Sequence, residues 1–259
     1  MRRGKVATQI INELNKGCGC YWILLDPDDF SSDQAADIAS NAQSAGVDAI
    51  LVGGSLLNTN HLDSFLSSVK NAVTIPVVLF PGDATQISPI ADAILFLSLV
   101  SGRNPVNLIG EQVKGAPAIK EYGIEPISTA YMLVESGAVT SVEFMSNTRP
   151  LPRSKPMIAA AHGLAAQYMG MSMVYLEAGS GAPTPVPSEM IRKVSDFVDI
   201  PIIVGGGIRR VETAVEKIKA GADIIVTGNL LHDNKGVDVM KQIASALKTQ
   251  KRKRSQNFA

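Results

Sequence analysis

Met173-Val174-Tyr175-Leu176-Glu177-Ala178-Gly179-Ser180-Gly181-Ala182-Pro183 is an apolar run that stops at a carboxylate and opens into a loop of small residues. A short continuous apolar run bounded by glycine reads as a strand buried on both faces. A loop of small residues leaves backbone N–H groups free to close around an anion. Two junctions of the same kind follow, at Gly205-Gly206-Gly207 and at Gly228-Asn229. Three in succession point to a phosphorylated substrate held at one end of a set of parallel strands.

Outward from this stretch the pattern repeats. Short apolar runs predict strands at Tyr21–Leu25, Asp48–Val52, Pro76–Phe80, Ala93–Leu97, Ile124–Tyr131, Ser172–Leu176, Pro201–Val204 and Asp223–Thr227. Amphipathic segments predict helices at Ser32–Ser44, Thr59–Asn71, Pro105–Tyr122, Lys155–Met169, Ser188–Phe197, Arg209–Ala220 and Lys235–Leu247, with Ser32 and Ser188 as N-caps. Eight strands in a β-then-α rhythm make an α/β (βα)8 TIM barrel the expected fold. Only Pro81 to Asp92 joins the third strand to the fourth, so the third helix is expected to be reduced or missing. The segment Leu133–Pro152 is too long for a simple loop, and Val139–Phe144 is expected to form an extra strand or hairpin. No linker divides the chain: residues 1–247 read as one barrel domain, and 248–259 as a basic tail, solvated or disordered.

Composition narrows the function classes. The 259 residues are 46% hydrophobic and 19% charged, with a formal net charge of +0. Nothing global attracts nucleic acid. No apolar run reaches the ~20 residues of a membrane span. The opening Met1-Arg2-Arg3-Gly4-Lys5 lacks the apolar core of a secretory signal. The two cysteines, Cys18 and Cys20, do not fit a Cys-x-x-Cys pattern, and the expectation is a cytoplasmic protein. The basic run Lys248–Arg254 leaves a peripheral contact with an anionic membrane as a second reading of the tail.

In such barrels the active site lies at the C-terminal ends of the strands. There the sequence delivers Asp26, Ser55, Tyr131, Glu177, the glycines at 205–207 and Thr227-Gly228-Asn229. The glycines of the last strands suit a phosphate, helped by the N-terminus of the following helix. Asp26 with the Ser55 hydroxyl suits a hard Mg²⁺ ion, although Asp26 equally suits capping a turn before Pro27. Glu177 stands beside the cradle as the candidate general base. No lysine sits at a strand end, which argues against Schiff-base chemistry.

Leu25-Asp26-Pro27-Asp28, Val52-Gly53-Gly54-Ser55, Phe96-Leu97-Ser98, Arg103-Asn104-Pro105, Tyr175-Leu176-Glu177-Ala178-Gly179-Ser180-Gly181, Gly205-Gly206-Gly207-Ile208 and Thr227-Gly228-Asn229 together resemble the geranylgeranylglyceryl phosphate synthase family, which includes bacterial heptaprenylglyceryl phosphate synthases. The resemblance implies a Mg²⁺-dependent prenyltransferase. Such an enzyme joins the 3-hydroxyl of sn-glycerol 1-phosphate to a polyprenyl diphosphate, most simply geranylgeranyl diphosphate, and releases pyrophosphate. It further implies Asp26 and Ser55 as metal positions and Glu177 as the base. Tyr175, Leu176, Glu177, Ala178, Gly179, Ser180, Gly181, Gly206, Gly207, Gly228 and Asn229 are the implied glycerol phosphate positions. A homo-oligomer, dimer or hexamer, is implied as well. Where one branch of the family carries lysine two residues before the strand-one aspartate, this chain has Leu24, as in the geranylgeranyl branch. The competing readings are a sugar-phosphate isomerase or other phosphate-binding barrel enzyme, and a non-catalytic sensor of a phosphorylated metabolite. The prenyl tail is expected to run past the thin wall near Leu79, Ile94 and Phe96.

Overall fold

The computed structural model describes residues 4–58, 61–228, 230, 236–253 and 258. Eight strands, β1 (Cys20–Leu25), β2 (Ala49–Val52), β3 (Val77–Leu79), β4 (Ala93–Leu99), β5 (Glu125–Leu133), β6 (Met173–Glu177), β7 (Ile202–Gly205) and β8 (Ile224–Thr227), close in chain order into a barrel. Every neighbouring pair is parallel, and β8 closes on β1 with Cys20 opposite Ile224 and Ile23 opposite Thr227.

The two-residue alternation of a strand divides the apolar residues into two layers. Tyr21, Ile23, Leu25, Val174, Leu176, Ile202 and Val204 face outward and pack with the helices. Cys20, Trp22, Leu51, Val78, Leu95, Met173, Tyr175, Ile203 and Ile224 fill the barrel itself. Because both layers are buried, the strands read as continuous apolar runs, and the expected strands are all present, with ends differing by one or two residues.

Around the barrel lie α1 (Lys5–Leu14), α2 (Ser32–Ala45), α3 (Leu62–Ala72), α4 (Glu111–Tyr122), α5 (Ser141–Ser146), α6 (Pro156–Tyr168), α7 (Ser188–Ser195), α8 (Val211–Ala220) and α9 (Gly236–Thr249). A π-helical turn, Val106–Gly110, leads into α4, so the single helix expected over Pro105–Tyr122 begins irregularly. No helix forms between β3 and β4, where a reduced or missing one was expected. None of the described helices is long and apolar enough to cross a membrane.

Corrections are needed in three places: the strand or hairpin over Val139–Phe144, the two helix caps, and the tail. Val139–Phe144 is neither strand nor hairpin: α5 forms there, started by Thr140, whose hydroxyl accepts the Glu143 N–H at 3.4 Å. The cap of α2 is Ser31 rather than Ser32. Ser31 and Gln34 exchange hydrogen bonds in a capping box, and Gln34 fits the third position only if Ser31 is the cap. Pro187 stands at the cap of α7 and places Ser188 inside the helix.

The third correction concerns the tail expected to be solvated or disordered, of which residues 248–253 and 258 are described. The α9 helix runs to Thr249, and Lys251 bridges to Cys18 in an antiparallel contact. Arg252 is buried, donating to Asp223 at 2.6 Å and to the Leu14 carbonyl at 2.7 Å. The Phe258 ring lies 4.9 Å from the Arg252 guanidinium. One cation of the run, Arg252, therefore satisfies a buried carboxylate beneath the barrel, while Lys248, Lys251 and Lys253 stay exposed. Helix α1 packs at the same end: Val6, Ala7, Ile10, Ile11 and Leu14 join the inner apolar layer. Its first N–H groups, of Val6 and Ala7, donate to the Glu125 carboxylate at 2.7 and 2.8 Å. That carboxylate does for α1 what a cap side chain does, satisfying orphan donors with a charge of the favourable sign.

Candidate active site

At the opposite end of the barrel, β6 presents Tyr175 inward, then Glu177, before the small-residue loop begins. Glu177 is 6% exposed. Its Oε1 accepts the Gly179 N–H at 2.6 Å, and the Tyr175 hydroxyl donates to the same carboxylate. Burial outweighs these bonds and lifts the carboxyl from its ordinary 4.5 to about 7. A carboxylate held near neutrality is well matched to proton abstraction at physiological pH. The Tyr131 and Tyr175 hydroxyls are both pushed well above their ordinary range, by burial first and by the Glu177 charge second, so both stay protonated.

Gly206 completes this arrangement. It holds φ at +79°, and a Cβ there would lie 2.3 Å from Glu177 Oε1 and 2.7 Å from the Gly179 nitrogen. The backbone thus passes against the carboxylate at a distance only glycine permits.

A cavity of about 590 Å³ opens over these residues, and its lining includes Asp26, Ser55, Tyr175, Glu177, Ser180, Gly206, Gly207 and Gly228. Eight of the thirteen expected site residues therefore meet in one space. The others fall elsewhere. Leu176 and Ala178 turn into the barrel–helix layer, while Gly179 and Gly181 support the loop without lining the cavity. Asn229 lies outside the described residues.

Asp26 and Ser55 line the same wall, and Asp26 Oδ1 also accepts the Asp28 N–H at 3.0 Å, the turn expected before Pro27. Among the described residues no cluster of three His, Cys, Asp or Glu side chains forms a metal cage. One carboxylate and one hydroxyl, both hard oxygen donors, fit Mg²⁺, which keeps waters and takes phosphate oxygens from a substrate. Asp28 holds the neighbouring loop by accepting the Asn58 N–H at 2.9 Å.

A second cavity, of about 300 Å³, adjoins the first through Gly54, Ser55, Phe80, Tyr131 and Val142. It lies where the missing helix leaves the wall thin and is lined by Ile87, Ile94, Phe96, Leu97, Val106 and Ile119 among others. Leu79 is fully buried in the outer layer, so its neighbour Phe80 takes the place expected for it. The junction is paved with aromatic rings. Phe80 stacks on Tyr175 at 5.3 Å between centroids, and Tyr131 meets Tyr175 edge-on at 5.4 Å. The sequence reading missed Phe80 as a site residue. The signal was available, since Phe80 closes the third apolar run, just past β3, as Tyr131 nears the end of β5.

The arrangement can hold a phosphate against glycine backbone, take a proton from a hydroxyl, and admit a long apolar chain at its side. A model of the PcrB family matches residues 9–247. A geranylgeranylglyceryl phosphate synthase from Pyrococcus abyssi is 47% identical over 240 residues, spanning 92% of this chain and 94% of its own. Wild-type GGGPS from Thermoplasma volcanium superposes with a TM-score of 0.91 at 37% identity, covering 96% of this chain and 100% of its own. The (S)-3-O-geranylgeranylglyceryl phosphate synthase from Thermoplasma acidophilum, solved in complex with substrate sn-glycerol-1-phosphate, superposes at 0.89 with 35% identity, covering 96% and 99%.

Proposed function

The chain belongs to the PcrB family, and from that premise we propose that it is a geranylgeranylglyceryl phosphate synthase, a prenyltransferase of ether-lipid synthesis. It joins the 3-hydroxyl of sn-glycerol 1-phosphate to the first carbon of geranylgeranyl diphosphate. The observation that carries this reading is the junction of the two cavities, where a buried base and a glycine cradle adjoin an apolar groove.

The glycerol phosphate rests its phosphate against the backbone of Gly206, Gly207 and Gly228, with Ser180 beside it. That seat brings the 3-hydroxyl to Glu177, whose carboxylate takes the hydroxyl proton. The freed oxygen attacks the allylic carbon as the carbon–oxygen bond to the diphosphate breaks, giving the ether and pyrophosphate. Tyr175, kept protonated, holds Glu177 in position by donating to it. The prenyl chain lies along Ile87, Ile94, Phe96 and Ile119, where at ~0.8 kcal/mol per buried CH₂ it dominates the affinity. Asp26 and Ser55 are the residues that would hold Mg²⁺, which when bound neutralises the charge gathering on the leaving diphosphate.

The reading includes several copies of the chain in one particle, since Phe144, Tyr168 and Met169 stand more than 70% exposed. It also includes a cytoplasmic setting with peripheral contact to the membrane that stores the lipid donor. Light scattering tests the first, and co-sedimentation with anionic vesicles the last.

The deciding experiment is product formation from geranylgeranyl diphosphate and Mg²⁺ with sn-glycerol 1-phosphate against sn-glycerol 3-phosphate. Ether with the 1-phosphate alone is expected. No ether and no pyrophosphate with either acceptor, from folded protein, would return the isomerase and sensor readings.

A further inference from the structure

The link that replaces the third helix carries a buried polar side chain, Gln86, only 3% exposed. Its amide reaches two backbones at once. Oε1 accepts the Gly82 N–H at 3.1 Å, and Nε2 donates to the Gly54 carbonyl at 3.0 Å. The ladder between β2 and β3 ends at Val52 and Leu79, so beyond it the Gly54 carbonyl has no strand partner in that ladder. Gln86 supplies one. A half-buried carbonyl left unmatched carries a cost, and the amide is the side chain that can match a donor and an acceptor together.

The packing around this bond is close on both sides. A Cβ on Gly82 would lie 2.5 Å from the Gly54 carbonyl and 2.8 Å from that of Ser55. A Cβ on Gly54 would lie 2.3 Å from Asp26 Oδ2. The strip Gly54-Ser55 is therefore held between the Asp26 carboxylate and the Gly82–Gln86 link. The link is fixed in turn from α4, where Glu111 Oε2 accepts the Ala84 N–H at 2.8 Å.

We propose that Gln86 is a positioning residue for the metal: it sets where the Ser55 hydroxyl stands relative to the Asp26 carboxylate. The inference rests on Asp26 and Ser55 being the metal positions of the proposed reaction. Gln86 touches neither substrate nor ion. It acts through the Gly54 backbone, as outer partners of metal ligands do, and loss of such partners costs roughly 10–100-fold in metal affinity or activity. With no helix between β3 and β4, the link passes close enough for Gln86 to reach the Gly54 backbone just beyond β2.

The test uses the full chain with Gln86→Leu, which removes both bonds, and Gln86→Glu, which keeps the size but sets a carboxylate against the Gly54 carbonyl. Three quantities are read: Mn²⁺ affinity by electron paramagnetic resonance, Mg²⁺ dependence of ether formation, and sn-glycerol 1-phosphate affinity by calorimetry. Both variants are expected to weaken Mn²⁺ and Mg²⁺ by roughly 10–100-fold while glycerol phosphate affinity holds. Unaltered Mn²⁺ affinity overturns the proposal even if melting temperature falls, since a purely structural bond would produce that pattern. Parallel loss of metal and glycerol phosphate marks general loosening and overturns it as well. Asp26→Asn, measured beside them, separates the two levels. If Asp26→Asn binds Mn²⁺ as the wild type does, the metal positions themselves are wrong and Gln86 falls with them. If Asp26→Asn is weakened and the Gln86 variants are not, only the role of Gln86 fails.

Discussion

Replacing Glu177 by glutamine tests the centre of the mechanism through two opposite effects. The rise of the carboxyl from 4.5 to about 7 means that burial disfavours its ionised form; at ~1.4 kcal/mol per pH unit this is roughly 3 kcal/mol. The folded state holds the proton more tightly than the unfolded chain, so wild-type stability falls as pH rises from about 4.5 and levels off above about 7. Glutamine keeps the acceptor for the Gly179 N–H but carries no titrating proton. At pH 8 the variant is expected to be more stable than the wild type by up to ~3 kcal/mol, and at pH 5 the gap should narrow. Turnover should move the other way, down roughly 10²–10⁴-fold. Wild-type kcat/KM should climb about tenfold per pH unit below about 7 and then flatten, a step absent from the residual activity of the variant. Urea denaturation at the two pH values, with ether formation followed from pH 5.5 to 8.5, gives both readouts. Turnover within a few-fold of wild type at pH 8 would refute Glu177 as the base. A variant with no stability advantage at pH 8 would refute the claim that the carboxylate is held at a cost to the fold.

Asp26→Asn is expected to raise the Mg²⁺ needed for half-maximal turnover and leave sn-glycerol 1-phosphate affinity unchanged, as kinetics and calorimetry can show. Gly206→Ala should lose most of its turnover, because the new methyl meets Glu177 Oε1; the left-handed backbone adds ~1–2 kcal/mol of strain, read as a lowered melting temperature. For Arg252→Ala the expectation is a loss of roughly 3–5 kcal/mol in urea denaturation, since the buried Asp223 would lose the Arg252 guanidinium, and near-normal kcat in the folded fraction.

What the sequence made legible follows burial. The eight strands were plain because both faces are covered, so no polar alternation blurred the apolar runs. The active-site strand ends were plain because a carboxylate or glycine interrupts an apolar run abruptly, as at Leu25-Asp26 and Leu176-Glu177. Helix α1 precedes β1 and so falls outside the β-then-α rhythm, although its Val6, Ala7, Ile10, Ile11 and Leu14 repeat at helical spacing. The β-branched content of Val139–Phe144 favoured a strand, and the stronger local signal was Thr140 three residues before Glu143, the spacing of a helix start. Arg252 looked like one cation in a solvated run. Its partner Asp223 is distant in sequence and only the closed barrel brings them together. Gln86 offered no signal at all, since nothing in a polar link says which side chain turns inward.

The strap of residues beneath the barrel has a consequence for how the molecule is made. Leu14 and Arg252 meet across 238 residues, and Asn15 pairs with the Phe258 backbone across 243. Neither contact, nor the closing pair of β1 with β8, can form until nearly the whole chain has left the ribosome. During synthesis α1 and the first strands must wait with an uncovered sheet edge, and such edges invite pairing with other chains. Ring closure, because it joins the most distant segments, should be the slow step of folding. The same geometry gathers the end of α1 and the residues after α9 at one end of the barrel, so assembly of the newborn protein finishes at the face remote from its chemistry.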